Sequence, residues 1–398
     1  MARRWNSKGL KPVKVLILVF VGVLAVSLLP VACRQTKTHA RAAEVDSKNL
    51  KQTVVVATLN CPLPEHKNAI WCATFQMAWD KFKQDIIGEP IQVLGAEPLA
   101  DRLNRSQFPT GSIEEKSYYA TAGFVKKGII EQVQKEMRRR FPSEPVPTFD
   151  SRYTTLPDVI LAYAYLNVDV AFKDPYYVYR GRFNFLNSSD AGTDVTAFCA
   201  QTSRPTSSSQ ALREQVEVLY YDSGQSSGMA HFAIDLSKQT QPYQVILARM
   251  RRCNTLGEAA RTLQDKIAAF KNDPNYTALR GLGHGDTLIV PDVLYKLTHH
   301  FDELLRKYLG NPKWTDYFFF EALQKIDFTL SRTGVVLKSE ARLAAAKKAP
   351  AKEPRHLHFD RPFLICVQKR EPNATPFFLM WVDNAELMKP YGNSEKGS

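Results

Sequence analysis

Residues 358–384 read HFDRPFLICVQKREPNATPFFLMWVDN and contain two dense apolar runs, FLICV and FFLMWV, on either side of a polar turn. Two apolar runs joined by a turn indicate a β-hairpin that is buried on both faces. The preceding stretch, 338–357, reads KSEARLAAAKKAPAKEPRHL and has almost nothing to bury. The contrast predicts a rigid buried hairpin that follows a long, basic, exposed loop.

The composition is that of a globular chain with a basic surface. Of its 398 residues 44% are hydrophobic, which is enough for one large core or two smaller ones. The formal net charge of +13 favours acidic partners, whether nucleic acid, anionic lipid or an acidic protein patch. Because no RRM, zinc-finger or helix-turn-helix pattern is present, nucleic acid is the least favoured, and no nucleic-acid partner is predicted.

The N-terminus has the pattern of an export segment. Residues 1–14 carry five basic side chains and no acid, and residues 15–32 carry no charge at all. A basic flank stays on the cytoplasmic side, so the rest of the chain is predicted to be extracellular or in the cell envelope. The apolar run is either a cleaved signal or a short membrane anchor. Cys33 stands where a lipoprotein would be cleaved, and residues 40–42 offer an A-x-A site.

Past the export segment, the sequence predicts one domain of the α+β class. Residues 33–52 are polar and are interpreted as a tether, 53–390 as the domain, and 391–398 as a disordered tail. Helices lead and strands follow in an antiparallel series, which favours large, mostly antiparallel sheets with surrounding helices. Apolar spacing predicts the following elements: strands at 53–59, 156–172, 214–222, 231–236, 244–250 and 325–330, a strand running into a helix at 68–86, and helices at 124–141, from Thr255 to before Pro274, and 291–309.

No sequence pattern supports an enzyme. Ser223 and Gly224 lie in a turn that lacks the first glycine of a nucleophile elbow. The glycine-rich stretch 281–287, GLGHGDT, lacks the lysine of a phosphate-binding loop. We therefore predict no catalytic residue.

The histidines and cysteines predict no metal or redox site. His356 and His358 share a strand face at period two, but no third ligand is evident, so neither a metal nor a cofactor is predicted. The cysteines after the export segment are odd in number and lack C-x-x-C spacing, which leaves open a single bridge such as Cys61 to Cys72. Cys366 is interpreted as a small buried hydrophobe.

The hairpin and the segments before it resemble the serpin family. The hairpin match is carried by Phe359, the run 360–363 of DRPF and Asn384 at the close. ALQKIDFTLSRTG resembles the central-sheet strand that feeds the serpin reactive loop, with Gly334 at the hinge. ILAYAYLNVDVAFKDPY, AHFAIDLSKQ and LGEAARTL resemble further serpin segments, in the family's order, so that the resemblance covers roughly residues 155–390.

The resemblance implies that the loop at 334–357 is bait for a serine endopeptidase. A protease cuts such a loop, and the freed strand inserts into the central sheet and traps the acylated enzyme. By the family's loop length the cut falls between Lys348 and Ala349, or one residue earlier at Lys347, which suits a trypsin-like protease. The protein is expected to be monomeric. The hinge comprises the following residues: Gly334, Val335, Val336, Leu337, Lys338, Ser339, Glu340 and Ala341.

Several positions depart from the serpin pattern and predict inefficient trapping. Leu337 and Lys338 stand where small alanines allow fast insertion, Phe172 stands in the place of a tryptophan, and Gln324 stands where many serpins keep a buried histidine. A non-inhibitory binding or structural protein of serpin fold in the cell envelope is therefore an alternative. An enzyme of unknown type ranks last, and the simplest interpretation of the loop itself is a flexible surface segment without a special function.

Overall fold

The hairpin predicted from 358–384 lies at the centre of the largest sheet. In the computed structural model, which describes residues 43–156, 158–201, 207–224, 230–333 and 354–392, its two strands pair from Phe363 with Val382 to Val367 with Phe378. Both strands are almost completely buried. The strands are numbered along the chain, and the seven strands of this sheet lie in the following spatial order: β2 (Thr53–Val55), β3 (Asn68–Cys72), β16 (Phe378–Val382), β15 (Phe363–Lys369), β10 (Tyr243–Arg249), β9 (His231–Asp235) and β8 (Glu217–Asp222).

A second sheet of four strands receives the chain as it returns from the predicted loop. Its order is β14 (His356–His358), β11 (Thr287–Pro291), β7 (Gly192–Cys199) and β6 (Tyr177–Leu186). β14 runs parallel to β11, and the other pairs are antiparallel.

Two smaller sheets complete the β-structure of the described residues. One is the ribbon of β4 (Tyr118–Phe124) and β5 (Ile160–Leu166), and the other contains β1 (Glu44–Asp46), β12 (Val293–His300) and β13 (Leu323–Leu330) in that order. The helices are α1 (Thr74–Phe82), α2 (Glu97–Arg105), α3 (Ile129–Arg140), α4 (Arg152–Thr155), α5 (Ser207–Gln215), α6 (Leu256–Lys271) and α7 (Tyr276–Leu279).

The β4–β5 ribbon separates two hydrophobic clusters because its side chains alternate between its faces. Ala162 and Ala164 of β5 pack against the main core, which includes α1, whereas Leu161 and Tyr163 pack against α3. Ile160 and Leu166 lie on the same face as the two alanines, so β5 contributes side chains to both clusters.

The helix predicted at 291–309 is wrong. Residues 293–300 form strand β12, in which Val293, Tyr295 and Leu297 are buried alternately with more exposed neighbours. Pairing with β13 along all eight residues of β12 overrides the three-and-four spacing that also fits a helix. His299 and His300 consequently lie on a strand, where adjacent side chains point to opposite faces.

Other predicted elements are confirmed with altered bounds. The helix predicted at 124–141 is α3 and begins at Ile129, because Phe124 ends strand β4. The long strand predicted at 156–172 is β5 and ends at Leu166. The helix after Thr255 is α6, and the Thr255 side chain accepts from the Glu258 amide at 3.0 Å, as its capping pattern predicts.

Two further sequence interpretations are changed by the structure. Residues 44–46, assigned to the tether, form β1, which pairs in parallel with β12. Cys61 and Cys72 are both free thiols, so the bridge between them that the sequence left open is absent.

Candidate functional site: the seam between two half-sheets

Two strands of the described residues pack against the same helix, α1, without pairing to each other. β5 pairs with β4 and β13 pairs with β12, and within the described ranges neither β5 nor β13 has a strand on its other edge. α1 packs against both β5 and β13. We call the gap between β5 and β13 the seam. Its two strand edges carry backbone groups that a further strand could pair with.

On the side nearest the predicted loop, two hydrogen bonds join the chain beyond β5 to the chain beyond β13. The Tyr176 amide donates to the Arg332 carbonyl at 2.9 Å, and the Arg332 Nε donates to the Tyr176 carbonyl at 3.1 Å. Tyr176 is itself fixed, since its ring packs 5.0 Å from that of Phe172 and its hydroxyl donates to the Leu236 carbonyl at 2.8 Å. Phe172 is itself buried, at 2% exposure.

Aromatic and polar contacts close the opposite end. The Tyr153 hydroxyl donates to the Glu321 carboxylate at 2.7 Å, and the rings of Tyr153 and Phe320 meet edge to face at 4.9 Å. Burial and this carboxylate raise the pKa of Tyr153, so its phenol is neutral and can act as the donor. The β4–β5 ribbon and the sheet of β1, β12 and β13 are therefore tied at both ends of a middle stretch. In that stretch no strand pairing joins them within the described ranges.

Gln324, the second residue of β13, is a buried polar residue between β13 and α1. Its side-chain amide donates to the Cys72 carbonyl at 3.0 Å and to the Thr74 hydroxyl at 2.7 Å, which ties β13 to the start of α1. Gln324 is 4% exposed, and its Oε1 accepts no hydrogen bond from the described residues. The hydroxyl of the nearby Tyr295, on β12, is also buried without a partner among them. A buried acceptor without a donor costs about 1–3 kcal/mol.

The predicted bait residues cannot be placed in this geometry. Residues 334–353 lie outside the described residues, and they include all of the predicted hinge from Gly334 to Ala341 as well as Lys347, Lys348 and Ala349. The structure describes the residues on either side of this segment. The segment begins after Thr333, shortly beyond the end of β13, and ends before Pro354, shortly before the start of β14.

The return point is fixed by a buried ion pair that sequence reasoning missed. The Arg355 guanidinium donates to the Asp286 carboxylate at 2.6 and 3.0 Å and to the carbonyls of Leu279 and Gly281 at 2.7 and 2.6 Å. Burial alone would raise the pKa of Asp286, but the hydrogen bonds from Arg355 lower it below its ordinary value. The glycine-rich stretch 281–287 therefore holds Arg355 rather than a phosphate.

The predicted loop is accordingly shorter than 334–357. Arg355 and Leu357 are buried, and His356–His358 already forms β14. β11 and β14 run in parallel with Thr287 opposite His356, so Asp286 and Arg355, one residue before each strand, lie beside each other. The sequence could have predicted this ion pair only if the pairing of the two strands had been known.

The described residues contain neither a membrane span nor a cluster of metal ligands. No helix in that part of the chain is long and apolar enough to cross a bilayer. It also has no group of three or more His, Cys, Asp or Glu side chains arranged to hold a metal ion. The apolar run at 15–32 lies outside the described residues.

Comparison with solved structures places the fold among known ones. Protease nexin-1, crystallised with heparin, aligns over 80% of this chain and 92% of its own, with 10% sequence identity and a TM-score of 0.43. Human glycosylated kallistatin aligns over the same shares, with 13% identity and a TM-score of 0.42. In fold, the chain is similar to the serpins. No family model matches the sequence, and no curated protein matches it.

The described residues have the α+β architecture that the sequence predicted. The large sheets are mostly antiparallel, as predicted, with parallel pairs only between β1 and β12, β2 and β3, and β11 and β14 in the described residues.

Proposed function

We propose that this chain is an exported serpin-like protein that presents residues 334–353 as bait to serine endopeptidases. The observation that carries the proposal is the seam. The bait segment begins directly after β13, whose outer edge is unpaired among the described residues, and β5 offers a second such edge across the gap. A segment that turns back from β13 would run antiparallel to both strands and could pair with both.

The residues of the bait segment have the alternation that insertion would need. Counting from the hinge, one set of side chains would point toward α1 and the other toward solvent. The inward set comprises Val335, Leu337, Ser339, Ala341 and Leu343. The outward set is mostly charged, which is the pattern of a strand with one buried face.

Lys348 and Ala349 are proposed to flank the bond that is cut, with Lys347 one position away. A lysine at this place suits a trypsin-like protease, because an acid in the specificity pocket of such an enzyme pairs with the ammonium group. The partner is thus a serine protease, and the protein acts on it as a monomer without a cofactor.

Export is part of the proposal. Residues 1–14 would stay in the cytoplasm, and residues 15–32 would be either a cleaved signal or an anchor. The domain would then lie outside the cell or in its envelope. Added trypsin should cut the protein on cells whose outer barrier has been permeabilised but whose inner membrane is intact, and full protection there would contradict this placement.

We propose further that trapping is inefficient, because Leu337 must fit where a small side chain inserts readily. Overpacking of this kind costs about 1–3 kcal/mol. In the insertion step that cost would slow the rate by roughly 5- to 150-fold. The acylated protease would often hydrolyse its bond and leave before insertion finished.

The test is incubation of the purified protein with trypsin, followed by a denaturing gel and mass spectrometry of the fragments. We expect cleavage after Lys348 or Lys347, with a low yield of SDS-stable complex. The double variant Leu337→Ala, Lys338→Ala should raise the yield, whereas Leu94→Ala, an exposed apolar residue far along the chain, should not change it. Cleavage elsewhere in the chain would refute the bait assignment, and a high yield from the unmodified protein would refute the inefficiency.

Leu337 and Lys338 favour a second, non-inhibitory function, because both are larger than the alanines that would allow fast insertion. If cleavage never leads to complex, even in the double variant, the chain would be a non-inhibitory protein of serpin-like fold that binds a partner or serves a structural role in the cell envelope.

A further inference from the structure

Two histidines lie side by side on β14 and point their ring nitrogens at one hydroxyl group. β14 is parallel to β11, with His356 opposite Thr287 and His358 opposite Ile289. The Thr287 Oγ1 lies 3.0 Å from Nδ1 of His356 and 2.8 Å from Nε2 of His358. The centroids of the two imidazole rings are 5.5 Å apart.

The backbone that carries these rings is held rigidly from the other face. Leu357 and Phe359, which alternate with the histidines, are both 0% exposed. Just before β14, Arg355 is fixed by the ion pair with Asp286. The two imidazoles are therefore presented from a fixed strand and not from a mobile surface segment.

The hydrogen bonds indicate what the ring nitrogens are able to do. The threonine hydroxyl has one proton, so it can donate to one nitrogen only, and the other nitrogen must donate to the oxygen. In a neutral imidazole the proton can move to the opposite ring nitrogen, which frees a lone pair at the nitrogen facing Thr287. Both rings could then direct a lone pair at the same point.

The Asp360 carboxylate beside the two rings is drawn toward Arg249, with 3.0 Å between Oδ1 and Nη1. Neutral imidazole is the form that binds metals.

We propose that His356 Nδ1 and His358 Nε2 bind one divalent first-row transition metal ion, such as Zn²⁺ or Ni²⁺. Imidazole nitrogen is a preferred ligand of these ions, at distances of about 2.0–2.1 Å for Zn²⁺. A small rotation of each ring would bring the nitrogens to this distance, and the Thr287 hydroxyl and water would fill the remaining positions. The site thus has two strong protein ligands, one fewer than the groups of three or more side chains that the described residues lack.

Metal binding at this place would fasten β14 to β11. Both histidines belong to β14, and the hydroxyl that they share belongs to β11. Since β14 is a short edge strand at the return point of the chain, an ion here would hold it in register. This inference rests on described residues alone and does not depend on the bait function.

The experiment uses the full chain without an affinity tag. Calorimetric titration with Zn²⁺ and with Ni²⁺, and retention on a Ni²⁺-charged resin, should each detect one site. His356→Gln and His358→Gln should each weaken binding by about tenfold or more, because each removes a ligand. His300→Gln is the matched control, since His300 is a strand histidine whose histidine neighbour points to the opposite face, and it should leave the affinity unchanged.

A second measurement keeps the proposal testable if a variant fails to fold. In the unmodified protein, Zn²⁺ should protect His356 and His358, but not His300, from modification by diethyl pyrocarbonate, as read by mass spectrometry. Equal binding by all variants, equal modification with and without Zn²⁺, or no binding of either ion would each overturn the proposal.

Discussion

Arg355 is the residue on which the return of the chain to the sheet most depends. It donates to one carboxylate and two carbonyls in a place where it is only 8% exposed. Arg355→Ala would leave the Asp286 charge buried without its partner, and breaking such a pair costs about 3–5 kcal/mol. We expect the free energy of unfolding, measured in urea, to fall by that amount.

The control for this prediction is another arginine pair on the surface. Arg361 binds Asp190 at 2.8 Å, with side chains 41% and 75% exposed, so Arg361→Ala should cost under about 1 kcal/mol. Equal losses in the two variants would contradict the role given to Arg355. Since the folded pKa of Asp286 is lowered, its contribution is present above the ordinary carboxylate pKa of about 4 and is lost as the pH falls through the folded value. This acid-dependent contribution should be absent from Arg355→Ala.

Residue-level reasoning from the sequence could predict exposure and apolar burial but not this kind of polar anchor. Arg355 sits in a basic, proline-containing stretch, and that local context groups it with the exposed loop. Its burial depends on Asp286, 69 positions earlier, and on two carbonyls that only the folded turn brings together. The same holds for Gln324, whose partners lie about 250 positions away on β3 and α1.

At the scale of elements, the segment 44–53 acts as a strap along two sheets. The Glu44 carboxylate contacts Lys296 of β12 and Lys325 of β13, and Thr298 donates to it at 2.6 Å. Farther along, the amides of Lys51 and Gln52 and the hydroxyl of Thr53 donate to Glu386, near the C-terminal end of the domain. The strap is thus held at two points.

We predict that Glu386 matters more to the strap than Glu44. Glu386→Ala removes three hydrogen bonds to a charged acceptor, one of them partly buried, and should lower the free energy of unfolding by about 1.5–3 kcal/mol. Glu44→Gln removes surface pairs and should cost under about 1 kcal/mol. Hydrogen exchange of the amides at 51 and 52 provides an independent measurement. Unchanged protection of these amides in Glu386→Ala would contradict the role given to Glu386.

Acid should weaken the Glu44 contact selectively. Hydrogen bonds from Thr298, Lys325 and Lys296 lower the pKa of Glu44 from 4.5 to about 2. Because this pKa is depressed by folding, the contribution of Glu44 is fully present above about 4.5 and disappears as the pH falls toward 2. The difference in stability between the unmodified protein and Glu44→Gln should shrink across that window.

The elements that sequence patterns predict well are those with a strong period and a clear end. The hairpin of β15 and β16, helix α6 with its capping threonine and the strand β13 fall in this class. β12 does not, because Val293, Leu294, Leu297 and Phe301 satisfy a helical spacing as well as a strand. Only the partner strand β13 decides between the two, and pairing between distant strands is invisible to a local pattern. β1 escapes prediction because its stability comes from β12 and not from its own residues.

At the scale of the whole molecule, the proposed entry of the cut segment into the seam gives the last prediction. If the cut segment enters the seam, it buries Val335, Leu337 and Leu343 and pairs with the edges of β5 and β13. Val335 and Leu343 contribute about 1.5–3 kcal/mol each on burial, whereas the gain from Leu337 is offset by its overpacking. For a domain of this size, the resulting gain of a few kcal/mol should raise the Tm by roughly 5–10 °C, since each kcal/mol shifts it by about 1.4 °C.

The measurement is thermal unfolding of the protein before and after a single cut by trypsin, with the cut located by mass spectrometry. The control variant, Lys347→Ala with Lys348→Ala, should resist this cut and keep the original Tm after the same treatment. An unchanged Tm in protein that is cut cleanly after Lys348 would mean that the segment stays outside the seam, and the insertion step would then be wrong even if the bait is cut. A raised Tm together with a low yield of complex would instead mean that insertion is slower than deacylation. The strand would then enter the seam only after the protease has left.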